Sequence, residues 1–429
     1  MAECYSNGLS AAVARGWVFM EMRNTIGILL AGGAGERLYP LTRERAKPAV
    51  PFGGIYRIID VTLSNCINSG LRKIFIFTQY KARSLSHHIR HGWFSFFAHE
   101  LDEFIEIIPP EKRVGEDWYL GTADAVRQNL YSINSLAEVE YALILSADHI
   151  YKMNYSKMLR HHIESKADAT ISMIQIPIDQ AYRFGVMQID KNMRICGFQE
   201  KPAHPQAGLE NSGFVNVSMG IYIFNTSLLA SILEEDSRNP LSSHDFGRDI
   251  LPRMIGEYNV MAYHFIDENK KESQYWMDVG TIDSYFSANM DLIAIDPQFN
   301  LYDKDWPIRT YQRQYPPAKF VFAQEGRRMG IAVDSIVSNG CIISGGRVVN
   351  SVLSPDVRVN SYCEIDHSIL LSHVNIGRYS RIRNAIIDRG VVLPENSMIG
   401  FEPEEDRRRY VVTPNGVVVV VDNPSPEED

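Results

Sequence analysis

Long apolar runs are missing from this 429-residue chain: none approaches the ~20 consecutive residues that a membrane-spanning helix needs, so no such helix is expected. The first two dozen residues also lack the uninterrupted apolar centre of a signal peptide, because Arg15 breaks AAVARGWVFM. Residues 1–24 read as an N-terminal extension without a function, in which Met20 or Met22 could serve as the start. Cysteine is scarce and unpatterned. The five, Cys4, Cys66, Cys196, Cys341 and Cys363, are odd in number and form no CxxC pair, which predicts reduced, packed thiols in a cytoplasmic protein. An excess of positive charge is lacking as well. The formal net charge of -9 argues against a nucleic-acid partner, which would need a basic face, so an anionic substrate has to meet locally placed cations.

Those cations lie near the amino terminus. Thr25 to Arg57 reads TIGILLAGGAGERLYPLTRERAKPAVPFGGIYR, and its first apolar run, Ile26 to Leu30, is of the kind that forms a strand buried on both faces of a parallel sheet. Gly32, Gly33 and Gly35 follow at once; they let the backbone turn sharply and bring bare N–H groups close to a bound polyanion. Arg37, Arg43, Arg45 and Lys47 come next, while Pro40, Pro48 and Pro51 forbid one continuous helix. Two commoner phosphate motifs are absent. A dinucleotide fingerprint would need glycine in place of Leu38, and a Walker A loop would need Gly-Lys-Ser/Thr.

The length exceeds what one compact core holds, so two domains are expected. Up to about residue 290 the pattern alternates. A helical spacing over Ile58 to Ser69 is stopped by Gly70; strands follow at Lys73–Thr78 and 141–146, with helical stretches at 81–92 and 123–136. That rhythm predicts an α/β fold with a doubly wound, mostly parallel sheet, whose ligands sit at the carboxyl ends of the strands. Asp148, in LSADHIY, falls two residues beyond such a strand and faces that end. In WYLGTAD, Gly121 permits a close backbone approach, and Thr122 is expected to cap the following helix and turn its first N–H groups towards an anion or a base edge. His87, His88 and His91 include an i,i+4 pair, but with no third ligand they read as a solvated helix face, and His244-Asp245 reads as a capped helix start.

Beyond Asp291 the character changes. Leu301 to Phe320 is rich in proline and aromatics and reads as an ordered connector. Then aliphatic residues recur in steps of six, six and five: Ile336, Ile342, Val348; Leu353, Val359, Ile365; Leu370, Ile376, Ile382; Ile387, Leu393, Ile399. A coil with three flat sides and one inward residue per side has that period, which is the hexapeptide type of parallel β-helix; a sandwich of short strands would not hold so regular a step. Some acyltransferases are built on such coils, but nothing here demands a second activity. TPNG, Thr413 to Gly416, between valine runs signals a hairpin, and the last residues, 422–429, read as a disordered tail.

The spacing GxGxRLxPLTxxxxKP, Gly33 to Pro48, resembles the signature of the sugar-phosphate nucleotidyltransferases, and RAKPAVPFGGIYRIIDVTLSNCINSG is most similar to their glucose-1-phosphate adenylyltransferase branch. The resemblance runs over roughly 25–421. It implies a Rossmann-like catalytic domain at 25–290, a connector at 291–330 and a left-handed β-helix with terminal hairpin at 331–421. It also implies ADP-glucose and pyrophosphate made from ATP and glucose 1-phosphate for glycogen synthesis. Leu30, Ala31, Gly32, Gly33, Gly35, Arg37, Lys47, Gly121 and Thr122 would bind ATP, and Tyr119, Gly185, Glu200, Lys201 and Ser218 would bind the sugar phosphate. Asp148 and Asp278, in YWMDVGT, would hold Mg²⁺, with Arg37 and Lys47 completing the catalytic set.

Family members are also usually tetramers tuned by a small anionic metabolite between the domains, for which Arg45, Arg57, Arg381, Arg383 and Arg389 are the cations available. Glu44 and Pro51 stand where better-known bacterial members have Lys and His, so a different effector, or a weak response to any, is expected. The same chemistry on another nucleotide or sugar phosphate, and a catalytically silent regulatory subunit, are the alternatives. Arg37, Lys47, Asp148, Lys201 and Asp278 together argue against the latter.

Overall fold

The computed structural model describes residues 21–33, 35–110, 118–205, 213–324 and 328–422. The N-terminal extension up to residue 20, with Cys4, and the tail beyond 422 lie outside them.

The part up to residue 291 includes β1 (Thr25–Ala31), α1 (Ile58–Asn68), β2 (Lys73–Thr78), α2 (Ala82–Gly92), β3 (Phe104–Ile108), α3 (Thr122–Gln128), β4 (Tyr141–Ser146), β5 (His149–Tyr151), β6 (Ala169–Pro177), β7 (Gly185–Ile189), β8 (Ile195–Glu200), β9 (Phe214–Asn225), β10 (Val260–His264), β11 (Trp276–Asp278) and α4 (Ile282–Asp291). Nine of these strands form one sheet in the order β8-β7-β9-β4-β1-β2-β3, with β6 on the far side of β9 and β10 beside β6. From β3 to β4 every pairing is parallel. Ile26 and Ile28 enter one core and Leu29 and Ala31 the other, with helices over both faces, which is why the strand is apolar throughout.

The parallel order ends at β9, which runs antiparallel to β4, β6 and β7. This long strand changes register between Ser218 and Tyr222, where Gly220 takes a left-handed conformation (φ +71°). The bend lets its first half carry the β7–β8 ribbon, and hence Glu200 and Lys201, over the ligand end of the sheet. The helix foreseen over 123–136 is broken into α3 and a short helix at Leu130–Asn134.

Asp60 knots α1, α2 and the connector together. Its fully buried carboxylate accepts from Trp93 Nε1 (2.9 Å), Thr310 Oγ1 (2.6 Å) and the Arg57 amide (2.8 Å), and lies 2.5 Å from His88 Nε2. His88 is therefore not part of a solvated face: its helix turns that ring inward because Asp60 needs a partner. The remaining i,i+4 pair, His87 and His91, stacks at 4.0 Å; His87 lines a cavity between the domains and the His91 ring lies 5.7 Å from that of Tyr311.

Three parallel sheets make the β-helix, one strand per coil on each side. Ten of the twelve aliphatic positions are buried, and Ile336 and Ile342, in the first coil, are partly buried. A helix that the sequence reading did not foresee, Pro403–Arg409, follows the last coil. The chain then returns as Val411–Val412 and Val418–Val420, the hairpin adding to the sheet side that carries Ile386. That side packs on α4: Ile282, Tyr285 and Phe286 share one core with Ile369, Ile386 and Val419. Among the described residues no helix is long and apolar enough to cross a membrane.

Candidate active site

Acids far apart in sequence meet because β5 and β11 form a two-stranded antiparallel ribbon in which Asp278 pairs with His149, one residue beyond Asp148. Lys47 reaches both carboxylates from a short helical turn after the glycine loop, with Nζ 2.7 Å from Asp148 Oδ2 and 3.2 Å from Asp278 Oδ1. Arg37 Nη2 lies 3.8 Å from Asp278 Oδ2 with most of its side chain in solvent. Gly280 makes room for this contact: a Cβ there would lie 2.8 Å from Asp278 Oδ1 and 2.9 Å from Arg37 Nη2.

Electrostatics follow from the packing. Burial alone would raise the Asp148 carboxyl, but the Lys47 ammonium, His149 and hydrogen bonds from Lys47 and Ser146 outweigh it and hold the acid well below the usual carboxylate range. Lys47, whose side chain is 8% exposed, should lose its proton more easily through burial; its two carboxylates reverse that and raise it. Asp148, Asp278 and His149 offer one donor atom each within 4.8 Å of one another, and with two hard carboxylate oxygens and a cation already drawn to them, these residues fit a divalent metal.

Two clefts open from this cluster and share Leu30, Gly33 and Asp148. The larger, about 570 Å³, takes in Gly32, Tyr119, Gly121, Thr122, Glu200 and Lys201 of the expected set. The smaller, about 450 Å³, takes in Ala31, Gly35, Arg37 and Lys47. Gly185 and Ser218 line neither. Gly185 stands behind Glu200, where a Cβ would come within 2.9 Å of Glu200 Oε2 and 2.4 Å of Phe198 Cζ. Ser218 is buried, accepting from the Gly220 amide at 3.2 Å, with Tyr222 Oη 3.5 Å away; Tyr222 is the one that faces the cleft.

Thr122 does not cap α3. Its hydroxyl donates to Asp245 Oδ2 (2.9 Å) and accepts from the Phe246 amide, while the Ala123 and Asp124 amides are taken by the His244 carbonyl. The first turn of α3 is thus not open to an anion. Asp245 caps the short helix at Phe246–Ile250, accepting from the Gly247 and Arg248 amides, and also lines the larger cleft. Gly121 is needed because a Cβ would meet the His244 carbonyl oxygen at 2.3 Å.

Sequence reasoning passed over His149, Gln79, Tyr80, Tyr222, Phe246, Gly247 and Gly280, all of which border these clefts. Gln79 and Tyr80 follow β2 as Asp148 follows β4, so the strand-end rule covers them too.

A separate cavity of about 130 Å³ lies between the domains and is lined by Arg45, Arg57, Arg313, His373 and Arg389 among others. Arg45 makes an ion pair across the boundary, with Nη2 2.9 and 3.0 Å from the Asp388 carboxylate oxygens. Arg381 and Arg383 are not there: both lie on another side of the β-helix, their guanidinium carbons 4.8 Å from the Phe401 ring, where cation–π attraction holds them.

The family described as nucleotidyl transferase matches residues 26–294, and that described as GlmU-like, C-terminal hexapeptide matches residues 316–420. A glucose-1-phosphate adenylyltransferase of Koribacter versatilis is 61% identical over 400 residues, covering 93% of this chain and 95% of that protein. Proteins of the same name from Rhodopirellula baltica and Methylococcus capsulatus are each 52% identical, over 402 and 398 residues; these spans are 93% of this chain and 90% and 93% of the relatives.

Proposed function

The chain belongs to the glucose-1-phosphate adenylyltransferase family of nucleotidyl transferases, and on that footing we propose how its residues carry the reaction. It joins ATP to α-D-glucose 1-phosphate and releases ADP-glucose and pyrophosphate, a step of glycogen-type glucan synthesis. One observation carries the site assignment: Lys47, Asp148 and Asp278 converge where two clefts meet. The smaller cleft suits the triphosphate, being lined by the glycine loop, Arg37 and Lys47. The larger suits the adenosine and sugar phosphate, with Tyr119 and Gly121 on one wall and Glu200 and Lys201 on another.

In this reading a phosphate oxygen of glucose 1-phosphate attacks the α-phosphorus of ATP in line, and the pyrophosphate leaves along the glycine loop. Both reactants are anions, so the protein's work is to suppress their repulsion and align them. Lys201 holds the attacking phosphate, Glu200 accepts sugar hydroxyls, and Arg37 and Lys47 hold the departing phosphates. Asp148 and Asp278 would hold Mg²⁺, which when bound would supply neutralisation of the reactants' negative charge.

An anionic metabolite, bound against Arg45, Arg57 and Arg389 between the domains, is the proposed regulator, and a homotetramer in the cytoplasm the proposed setting. The four described cysteines, all unpaired, are in keeping with that compartment. The test is pyrophosphate release with glucose 1-phosphate across ATP, UTP, dTTP and GTP. Strong preference for ATP is the expected result; equal rates with UTP or dTTP would overturn the nucleotide assignment.

A further inference from the structure

Two buried histidines in this molecule spend their ring nitrogens on hydrogen bonds. His88 Nε2 meets Asp60 Oδ1 at 2.5 Å, and His162 meets Thr170 Oγ1 at 2.8 Å and Asn225 Oδ1 at 3.3 Å. His149 behaves differently. Its side chain is only 14% exposed, yet Nδ1 is shielded from solvent without a partner among the described residues. Nε2 stands 3.6 Å from Asp148 Oδ1 and 4.0 Å from Asp278 Oδ1, beyond hydrogen-bonding reach of either.

Packing, not hydrogen bonding, aims this ring. Trp276 meets it edge-on at 5.1 Å, and the β5–β11 register fixes its backbone opposite Asp278. Gly220, in its left-handed bend, brings bare backbone over Cε1, where even a Cβ would sit at 3.8 Å. A nitrogen is thereby held at the gap between two carboxylates without bonding to them; the ring helps keep Asp148 ionised, but its burial is offset by no hydrogen bond among the described residues.

The distances point to the missing return. An ion about 2.1 Å from each of two donors requires those donors to lie within about 4.2 Å of each other. Nε2 satisfies this towards both acids. We propose that His149 is a third protein ligand of the divalent cation, giving through Nε2 a nitrogen beside the oxygens of Asp148 and Asp278. This rests on the reading of those two carboxylates as the metal site. A mixed nitrogen and oxygen set admits Mg²⁺ but favours Mn²⁺ and Co²⁺ relative to an all-oxygen set, because imidazole raises affinity along the first-row order.

Mn²⁺ alone, added to the full-length protein, is the probe, and pulsed electron paramagnetic resonance is the readout. Wild type is expected to show histidine ¹⁴N modulation on bound Mn²⁺, replaced by the ¹⁵N pattern when the protein is made with ¹⁵N-histidine. His149→Gln should remove that coupling and weaken Mn²⁺ binding about tenfold or more, and Mg²⁺ binding less. If Mn²⁺ binds, Asp148→Asn releases it, and no histidine nitrogen couples in wild type, this inference falls while the two-carboxylate site stands. Coupling that persists in His149→Gln also overturns it, and Mn²⁺ binding indifferent to Asp148→Asn overturns both. The isotope-labelled wild type gives an answer even where the variant folds poorly.

Discussion

Lys47 and Lys201 carry the same charge but sit in opposite electrostatic settings, and their roles separate accordingly. Lys47 is buried on two carboxylates, whereas Lys201 has its side chain 56% exposed at the cleft, with its ammonium 2.7 Å from the neighbouring Glu200 carboxylate. Removing Asp148 deletes a preorganised charge at the reacting centre, so Asp148→Asn should lower turnover by about 10²–10³ or more. Its fold should survive because Lys47 keeps Asp278 as partner, with the thermal midpoint lowered by the weakened bonds to Lys47 and Ser146. Lys201→Gln should instead raise chiefly the half-saturating glucose 1-phosphate concentration; steady-state kinetics on both variants separate the two cases. A residue away from the site adds to acid sensitivity. Burial depresses the His162 ring to about 4 from 6.5, against a weaker opposing bond to Asn225. Between those values the unfolded chain binds a proton that the folded one refuses, so stability falls as pH drops from 6.5 and levels off near 4, by about 3 kcal/mol from this ring. Urea unfolding from pH 7 to 4 measures the fall, and a His162 NMR signal still neutral at pH 5 assigns it. Asp148 was legible because a carboxylate just past a buried strand is a local pattern. His149 was not, since histidine after aspartate carries no signal until a third group closes around it.

Elements position these side chains by ladder register. The β5–β11 ribbon is only three residues long on each strand, and it alone puts Asp278 opposite His149. Nothing in WMD or HIY announces the pairing, so the sequence could offer both acids as ligands only through resemblance. Gly280 guards the ribbon's end. In Gly280→Ala the new methyl would press on Asp278 Oδ1 and the Arg37 guanidinium, and the carboxylate would turn aside while the strand remains. Such a misplacement costs up to about 10² in turnover, with a raised half-saturating Mg²⁺ concentration and an unchanged circular dichroism melt. The β-helix was legible for the opposite reason: each coil repeats the same local demand for an inward aliphatic residue. Its corners were not. Asn350, His367 and Asn384 form one column of left-handed residues, and Tyr362, Tyr379 and Asn396 another. Tyrosine is a poor choice for that backbone, and the parallel stacking of Tyr362 on Tyr379, ring centres 4.9 Å apart, offsets part of the strain.

At the scale of the molecule the two domains share one hydrophobic core. Leu38 and Leu41 beyond the glycine turn, Ile150 and Val279 in and beside the β5–β11 ribbon, and Tyr285 and Phe286 of α4 belong to the same cluster as Ile369, Ile386 and Val419 of the β-helix. The Arg45–Asp388 pair and a 2.6 Å hydrogen bond from Thr413 Oγ1 to Asp283 Oδ1 cross the same boundary. Composition marked where the chain changes character, near 291, but gave no hint of this union, because each contributing segment reads as an ordinary apolar stretch. A core held in common makes separate unfolding unfavourable, since either half alone would expose its share of that surface. Wild type should therefore unfold in a single calorimetric transition. Ile386→Ala, at a fully buried position on the β-helix side of that core, should cost about 2–5 kcal/mol. Because Ile150 and Val279 flank His149 and Asp278, the cavity it leaves should also loosen the ribbon and raise the half-saturating Mg²⁺ concentration. Two well-separated transitions, or a destabilised variant with unaltered Mg²⁺ dependence, would show instead that the β-helix is carried by the catalytic domain without bracing it.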